Sequence, residues 1–142
     1  VMPTMLDWAG IPKKERLHYD GSSLVPLMNG TYDNNRFALI ENHSEGVYTT
    51  CFSVVRNGYK YNWFRGYGAQ LIDLKDDPGE WNNLSGRREH AGLEHEFRQL
   101  ILNRFDPVQI EKDVRFSIGS RMMIQSVLEK QGINWEYKPE KK

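Results

Sequence analysis

Two stretches of the chain, RNGYKY at residues 56–61 and QLIDLKDDPGEWNNL at residues 70–84, carry its most informative local signals. Asn57 and Gly58 stand between two runs of alternating apolar and polar residues, and both residue types tolerate the positive φ of a type I′ turn. The dipeptide therefore predicts a tight hairpin whose two strands pair antiparallel. Further along, Pro78 marks a polar turn that leads toward helical sequence.

On both sides of the hairpin, alternation of apolar and polar residues predicts further strands of the same sheet. We predict four strands, over residues 36–41, 47–55, 59–64 and 70–74. One face of the second strand is expected to carry Tyr48, Thr50, Phe52 and Val54. Because side chains alternate along a strand, this pattern indicates a sheet with one apolar face that must pack against another element.

After the predicted sheet, the apolar residues recur at helical spacing, and the predicted helices can pack against its apolar face. Residues 89–105 place five apolar side chains on one stripe: Leu93, Phe97, Leu100, Ile101 and Phe105. Asp106 as N-cap before Pro107 predicts a second helix that ends near Lys130, with an apolar stripe at steps of four: Ile110, Val114, Ile118 and Met122. We therefore predict an α+β fold, in which a four-stranded antiparallel sheet packs against amphipathic C-terminal helices.

The chain is expected to be organised in three parts. Residues 1–35 form a linker with two short helices, residues 36–74 form the sheet, and residues 75–142 form the helices and an extended tail. The first residue is Val1, and the first helix is short and apolar. Such a helix is unstable alone, so we expect the chain to be part of a longer protein.

Composition limits the classes of function. The 142 residues suit one domain, and 19 basic residues balance 19 acidic ones, which gives no electrostatic case for binding nucleic acid or an anionic membrane. No apolar run approaches the roughly 20 residues that span a bilayer. The only cysteine, Cys51, excludes an internal disulfide and is typical of a reducing cytoplasm.

Four motifs, in order, resemble the C-terminal region of type I sulfatases, which belong to the alkaline phosphatase superfamily. They are PTMLDWAGI at 3–11, DGSSLVPLMNG at 20–30, the hairpin at 56–61 and LIDLKDDPGEWNNL at 71–84. The ends of the helical region, at 104–107 and 135–139, are similar to choline-sulfatase-like and arylsulfatase-like members. The resemblance implies a C-terminal subdomain of a sulfatase, docked on an N-terminal catalytic domain.

The resemblance also implies which cofactors the parent protein uses. Type I sulfatases use a formylglycine made in a Cys-x-Pro-x-Arg context and a divalent cation, calcium, held mainly by carboxylates. Cys51 lacks that context and is interpreted as a small core residue. Asp76 and Asp77 are interpreted as turn-capping residues. We therefore expect no catalytic residue, no metal ligand and no cofactor in this chain, which by itself is expected to be inactive.

Candidate substrate-binding residues lie where the first strand ends. Glu41, Asn42 and His43 precede a polar loop, and such loops often display functional groups. An imidazole donates hydrogen bonds to anions and acts as acid or base near neutral pH. The resemblance places the start of this sheet near the substrate pocket. The alternative interpretation is a solvated loop.

Other hypotheses concern partners and the class of function. The aromatic tail, with Trp135 and Tyr137, either contributes to a homo-oligomer, as the resemblance implies, or folds back on its own sheet. The chain can also be a self-standing binding module. A third possibility is a fragment of a phosphodiester or phosphonate monoester hydrolase of the same superfamily.

Overall fold

The chain divides into two compact units, residues 1–36 and residues 37–142. The computed structural model describes residues 1–12, 18–31, 33, 35–43 and 47–133. Trp135 and Tyr137 lie outside the described residues, so both hypotheses about the tail stay predictions. Within the described ranges, no helix is both long and apolar enough to cross a membrane.

The first unit contains two short helices, α1 (Met2–Trp8) and α2 (Val25–Met28). Proline in the first turn starts each of them, because proline lacks the N–H group that has no partner there. The hydroxyl of Thr4 in α1 accepts a hydrogen bond of 3.0 Å from the backbone N–H of Leu24, directly before α2. This bond links the two helices across a long loop.

The second unit is built on a four-stranded sheet. Its strands are β1 (Ala38–Asn42), β2 (Cys51–Arg56), β3 (Tyr59–Phe64) and β4 (Gly68–Asp73). They lie in the order β1-β2-β3-β4, and all neighbours pair antiparallel. Two helices follow, α3 (Ala91–Leu102) and α4 (Pro107–Lys130), so the predicted α+β fold is confirmed.

The turn between β2 and β3 has the predicted geometry. Asn57 has φ 52° and Gly58 has φ 83°, so both central residues are left-handed, as a type I′ turn requires. The register Arg56 opposite Tyr59 continues without a slip to Cys51 opposite Phe64. The hairpin prediction is confirmed.

The core lies between one face of the sheet and α3. Its buried members are Phe52, Val54, Tyr61, Trp63, Leu71, Phe97 and Ile101. The register explains the sheet side, because Val54 pairs with Tyr61 and Tyr61 with Leu71, which places all three on one face. Fully burying one such apolar side chain stabilises the fold by about 1.5–3 kcal/mol. The predicted stripe on the first long helix is thus confirmed.

The N-terminus of α4 is capped by Asp106. Its Oδ1 accepts hydrogen bonds from the backbone N–H groups of Val108 and Gln109, at 3.0 and 3.1 Å. The predicted N-cap is confirmed. The side chain of Gln109 donates to Asp113 instead of reaching back, so the reciprocal half of a capping box is missing.

Several predicted boundaries differ from the observed ones by a few residues, among them the starts of the second strand and of the first long helix. The second strand begins at Cys51, not at residue 47, and Tyr48 is 99% exposed. The reason is that β1 ends at Asn42, the partner of Cys51, so earlier residues have no partner in β1. The third helix starts at Ala91, since residues 88–90 form a 3₁₀ turn.

The predicted apolar stripe of α4 is only partly right. Ile110 and Val114 are half-buried, but Ile118 is 41% and Met122 65% exposed. A step of four residues overshoots a full helical turn by about 40°, so three such steps rotate the stripe by about 120°.

Candidate functional site

The three candidate residues lie at the end of β1 that is remote from the hairpin turn. Glu41 is paired with Phe52 of β2, and Asn42 with Cys51. Because strand residues alternate between the two faces, Glu41 and His43 lie on the side of the core, and Asn42 lies on the opposite side. The structure thus brings Glu41 and His43 together and places Asn42 apart from them.

The imidazole of His43 is held in a defined orientation. Its Nε2 lies 3.0 Å from Oε2 of Glu41, and its side chain is 17% exposed. The ring lies edge-on to Phe52, with centroids 5.1 Å apart and an interplanar angle of 61°. A carboxylate only accepts hydrogen bonds, so Nε2 of a neutral His43 carries the proton and Nδ1 keeps its lone pair.

Two buried polar atoms near this strand end have no partner among the described residues, Nδ1 of His43 and Oγ1 of Thr50. One step beyond the pair of Asn42 with Cys51, the register would set His43 opposite Thr50. Buried polar atoms in proteins are nearly always satisfied by protein, water or ligand. We therefore expect ordered water or a ligand group at this strand end.

An open groove of about 350 Å³ lies at the surface between His43 and α4. It is lined by His43, Ile110, Asp113, Val114, Ser117 and Arg121; we call it the His43 pocket. Its volume falls at the small end of the range of about 300–1,000 Å³ that ligand pockets occupy. A wall of two aliphatic side chains, with charged and hydroxyl groups beside it, suits a small polar ligand.

Ionic contacts attach the first turns of α4 to the sheet. Arg65, directly after β3, binds Glu111, and Glu111 also accepts from Arg115 at 2.9 Å. The hydrogen bond from Arg115 and the nearby positive charge of Arg65 lower the pKa of Glu111. Ile110 packs against the core from the same turn. These contacts hold the helix that forms one wall of the His43 pocket.

The pocket residues on α4 were missed from the sequence. Asp113, Ser117 and Arg121 follow one another at steps of four, which places them along one side of a helix. That spacing was readable, but polar residues on a long helix usually face solvent, and nothing in the sequence connects them to His43. Only the packing of α4 across the strand end does so.

A larger cavity, of about 700 Å³, lies within the first unit and includes His18 and Arg36 in its lining. The guanidinium of Arg36 donates to the backbone carbonyl oxygens of Ser23 and Ser22, at 3.0 and 3.3 Å. Arg36 therefore secures the loop before α2. Several residues of this unit are outside the described ranges, so we place no site there.

Cys51 and Asp77 lie in different surroundings, one in a strand and one in a turn. Cys51 is 7% exposed in β2, and burial raises the pKa of its thiol, partly offset by a hydrogen bond with Ser53. Oδ2 of Asp77 accepts from the backbone N–H of Asn82 at 2.7 Å, as a turn-capping residue does. Among the described residues, no group of three or more His, Cys, Asp or Glu is placed to hold a metal ion.

Comparison with known proteins identifies the region to which this fold corresponds. The family model described as "N-sulphoglucosamine sulphohydrolase, C-terminal" matches residues 1–106. A Delta 4,5-hexuronate-2-O-sulfatase of Bacteroides thetaiotaomicron is 33% identical over 108 residues, which are 71% of this chain and 22% of that protein. The chain therefore spans about a fifth of this relative's length.

Two solved structures share the fold. One, described as a 2-O GAG sulfatase, is 31% identical with a TM-score of 0.56, and the match covers 82% of this chain and 25% of that one. The other, a phosphonate monoester hydrolase of Agrobacterium radiobacter, is 21% identical with a TM-score of 0.50 and covers 71% and 23%. At that lower identity the second likeness shows the fold alone.

Proposed function

Because the chain belongs to the family of N-sulphoglucosamine sulphohydrolase C-terminal domains, we propose that it forms the C-terminal subdomain of a protein that hydrolyses sulfate esters. The match over residues 1–106 favours this over a self-standing binding module. The sulfatase names of its relatives favour sulfate over phosphonate esters as substrates.

The proposed partner of this subdomain is an N-terminal catalytic domain of the same polypeptide. The chain corresponds to 22% of one relative and 25% of another, which leaves most of such a protein to the catalytic part. The described residues offer no cluster of metal ligands, and Cys51 lies buried in a strand. By the family resemblance, we assign the calcium ion and the formylglycine to the proposed N-terminal catalytic domain.

The proposed substrate is a sulfated sugar, and the proposed role of Glu41, Asn42 and His43 is to form part of its binding wall. The observation that carries this assignment is the contact of 3.0 Å between Glu41 and His43 beside a cavity. Glu41 fixes the ring of His43, whose side chain is 17% exposed and lines the pocket. Asn42, on the other side of β1, contributes only if the substrate reaches around the strand end.

In this mechanism, the chain positions its ligand and performs no bond-breaking step. Groups that hold the substrate in a productive geometry reduce the entropic part of the barrier. Their loss raises KM when they bind ground state and transition state equally, and lowers kcat when they act in the transition state alone. A pocket wall of this kind is expected to act mainly through KM.

The test uses the complete polypeptide that carries this chain, with His43→Gln and, as a matched control, the exposed His95→Gln. Sulfate release is measured from a hexuronate 2-O-sulfate and from 4-nitrophenyl sulfate, alongside a phosphonate monoester. We expect sulfate release by the wild type and a KM for the sugar about tenfold higher in His43→Gln only. Cleavage of the phosphonate monoester alone would identify the protein as a phosphonate monoester hydrolase instead of a sulfatase.

A further inference from the structure

The second half of α4 has a composition that is unusual for an exposed helix. Between Arg115 and Glu129, Arg121 is the only charged residue. The apolar residues of this segment are Phe116, Ile118, Met122, Met123, Ile124, Val127 and Leu128, and all of them except Leu128 are exposed. Monomeric proteins rarely expose a contiguous apolar surface of this kind, so this half of the helix is expected to bind another surface.

One line of side chains along this half has the spacing of a two-stranded coiled coil. From Asp113, alternating steps of three and four residues lead to Lys130 through four further positions: Phe116, Ser120, Met123 and Val127. Such steps average the 3.5 residues that keep a seam facing a partner helix. We call these six residues the α4 seam. At 100° per residue, the seam lies about 110° around the helix from Ile110, which packs against the core.

The α4 seam is complementary to itself when two copies run antiparallel. If the two-fold axis passes between positions 121 and 122, three pairs form on each side of it. In these pairs Asp113 faces Lys130 of the partner subunit, Phe116 faces Val127 of the partner subunit, and Ser120 faces Met123 of the partner subunit. A two-fold dimer requires such a surface, because the same patch then meets itself. A small residue opposite a large one also lets the side chains interdigitate.

Charge at the two ends of the seam selects the antiparallel direction. In that direction, Asp113 meets Lys130 of the partner subunit at both ends. Parallel helices would instead place two aspartates together at one end and two lysines at the other. Like charges that face each other across an interface disfavour that arrangement. Oδ1 of Asp113 also accepts from Gln109 at 2.8 Å, but a neutral amide leaves the negative charge of the carboxylate in place.

The middle of the seam can lose its contact with water at little cost. The hydroxyl of Ser120 donates to the backbone carbonyl oxygen of Phe116 at 3.0 Å, so burial leaves this donor satisfied. Arg121 lies on another side of the helix, where it lines the His43 pocket. Between Asp113 and Lys130 the seam therefore contains no charged group that pairing would desolvate.

We propose that the α4 seam is an interaction surface for a second copy of this chain, and that two α4 helices pair antiparallel across it to form a two-fold dimer. The seam matches itself in spacing, side-chain size and charge, which favours a second copy over the catalytic domain of the same polypeptide as its partner. The helix begins at Pro107, directly after the matched residues 1–106. The proposal is independent of the proposed function, because it concerns assembly and not the substrate.

The first test measures the dimer dissociation constant of the complete polypeptide by sedimentation velocity, for wild type, Met123→Glu and the control Met122→Glu. Both methionines are exposed, 70% for Met123 and 65% for Met122, but only Met123 belongs to the seam. We expect a wild-type dimer that Met123→Glu weakens about a hundredfold, because two carboxylates would enter the apolar seam. Met122→Glu should dimerise as the wild type does. Circular dichroism checks that both variants keep their helix content.

The second test reverses the charges at the ends of the seam and leaves its apolar middle unchanged. Lys130→Asp places two negative groups together at each end, so we expect it to weaken the dimer about tenfold. Adding Asp113→Lys to the same chain exchanges the two charges and should restore the wild-type dissociation constant. These variants decide the proposal even if Met123→Glu loses its helix content.

Three results would overturn the proposal. One is a wild type that stays monomeric at micromolar concentrations. If amide hydrogens of residues 116–127 are then protected from exchange, the rest of the polypeptide covers the seam. Another is a dimer that neither Met123→Glu nor Lys130→Asp weakens. The third is a dimer that Lys130→Asp weakens but the double charge reversal fails to restore, because the helices are then not antiparallel.

Discussion

Oε2 of Glu41 lies 3.0 Å from Nε2 of His43, and the two residues share one side of the end of β1. The contact decides which imidazole nitrogen carries the proton in the neutral ring. The buried Nδ1 has no hydrogen-bond partner among the described residues. The orientation of His43 is thus set within the strand end, before α4 or any ligand contributes.

This relationship predicts a single tautomer. We expect the ¹⁵N shifts of neutral His43 to show Nε2–H, because a carboxylate accepts a hydrogen bond only from a protonated nitrogen. Glu41→Ala removes the acceptor and should give a mixture of tautomers, whereas the exposed His95 should keep its shifts. Detection of Nδ1–H in the wild type would contradict the assignment.

The contact between α3 and the sheet predicts a large loss of stability for one core substitution. Phe97 is 1% exposed in the core, so Phe97→Ala should lower the free energy of unfolding by about 3–5 kcal/mol. Leu102→Ala, on the same helix but 41% exposed, should cost less than about 1 kcal/mol. Urea unfolding with equal slopes checks both values, and similar losses for the two variants would refute the packing described.

Replacing two glycines by alanine, one in the hairpin turn and one inside α4, should change the stability of the protein in opposite directions. At Gly58, φ is +83° and an added Cβ would lie 2.8 Å from Cε of Lys75, so Gly58→Ala should destabilise the protein by roughly 1–2 kcal/mol. At Gly119, inside α4, an added Cβ meets nothing within 4 Å. Gly119→Ala should therefore stabilise it by up to about 1 kcal/mol. Thermal unfolding measures both, and a shift of the same sign would be inconsistent with these environments.

Asp73 at the end of β4 predicts a dependence of stability on pH. The backbone N–H of Lys75, and further the hydroxyl of Tyr59, donate to its carboxylate and lower its pKa from 3.8. A lowered folded-state pKa contributes stability above the unfolded value, and this is lost as pH falls through the folded value. Asp73→Asn should therefore be less stable than wild type at pH 6.

The difference between Asp73→Asn and wild type should stay constant down to about pH 5 and then shrink toward pH 3. Urea unfolding at several pH values between 3 and 7 measures it. Asparagine keeps an oxygen that can accept from Lys75, so the variant tests the charge more than the turn. A difference that grows as the pH falls would show the opposite linkage.

Local patterns predicted most of the fold because local physics decides it. Asn57 and Gly58 determine a turn, and the turn determines the register of β2 against β3. Asp106 caps α4 through its own neighbours. The start of β2 was predicted too early because a strand extends only as far as its partner strand. β1 ends at Asn42, which pairs with Cys51, and the alternating pattern from residue 47 onward does not show where β1 ends.

The site was predicted only in part for the same reason. Residues 41–43 are adjacent in sequence, so a polar strand end next to a loop was recognisable as a candidate, although alternation separates Asn42 from its neighbours. Arg121 follows His43 by 78 positions in the chain. Its placement depends on the direction that α4 takes after Asp106.

Residues close together in the chain were enough to predict the hairpin, the antiparallel pairing of β2 with β3, the apolar face of α3 and the start of α4. Which side of α4 faces His43, and so which charged side chains line the pocket, follows only from how the helix packs on the sheet. A helix with 3.6 residues per turn points its side chains in all directions around its axis, so its geometry alone does not determine which side faces the sheet. Packing of Ile110 on the core and binding of Glu111 by Arg65 select one of them.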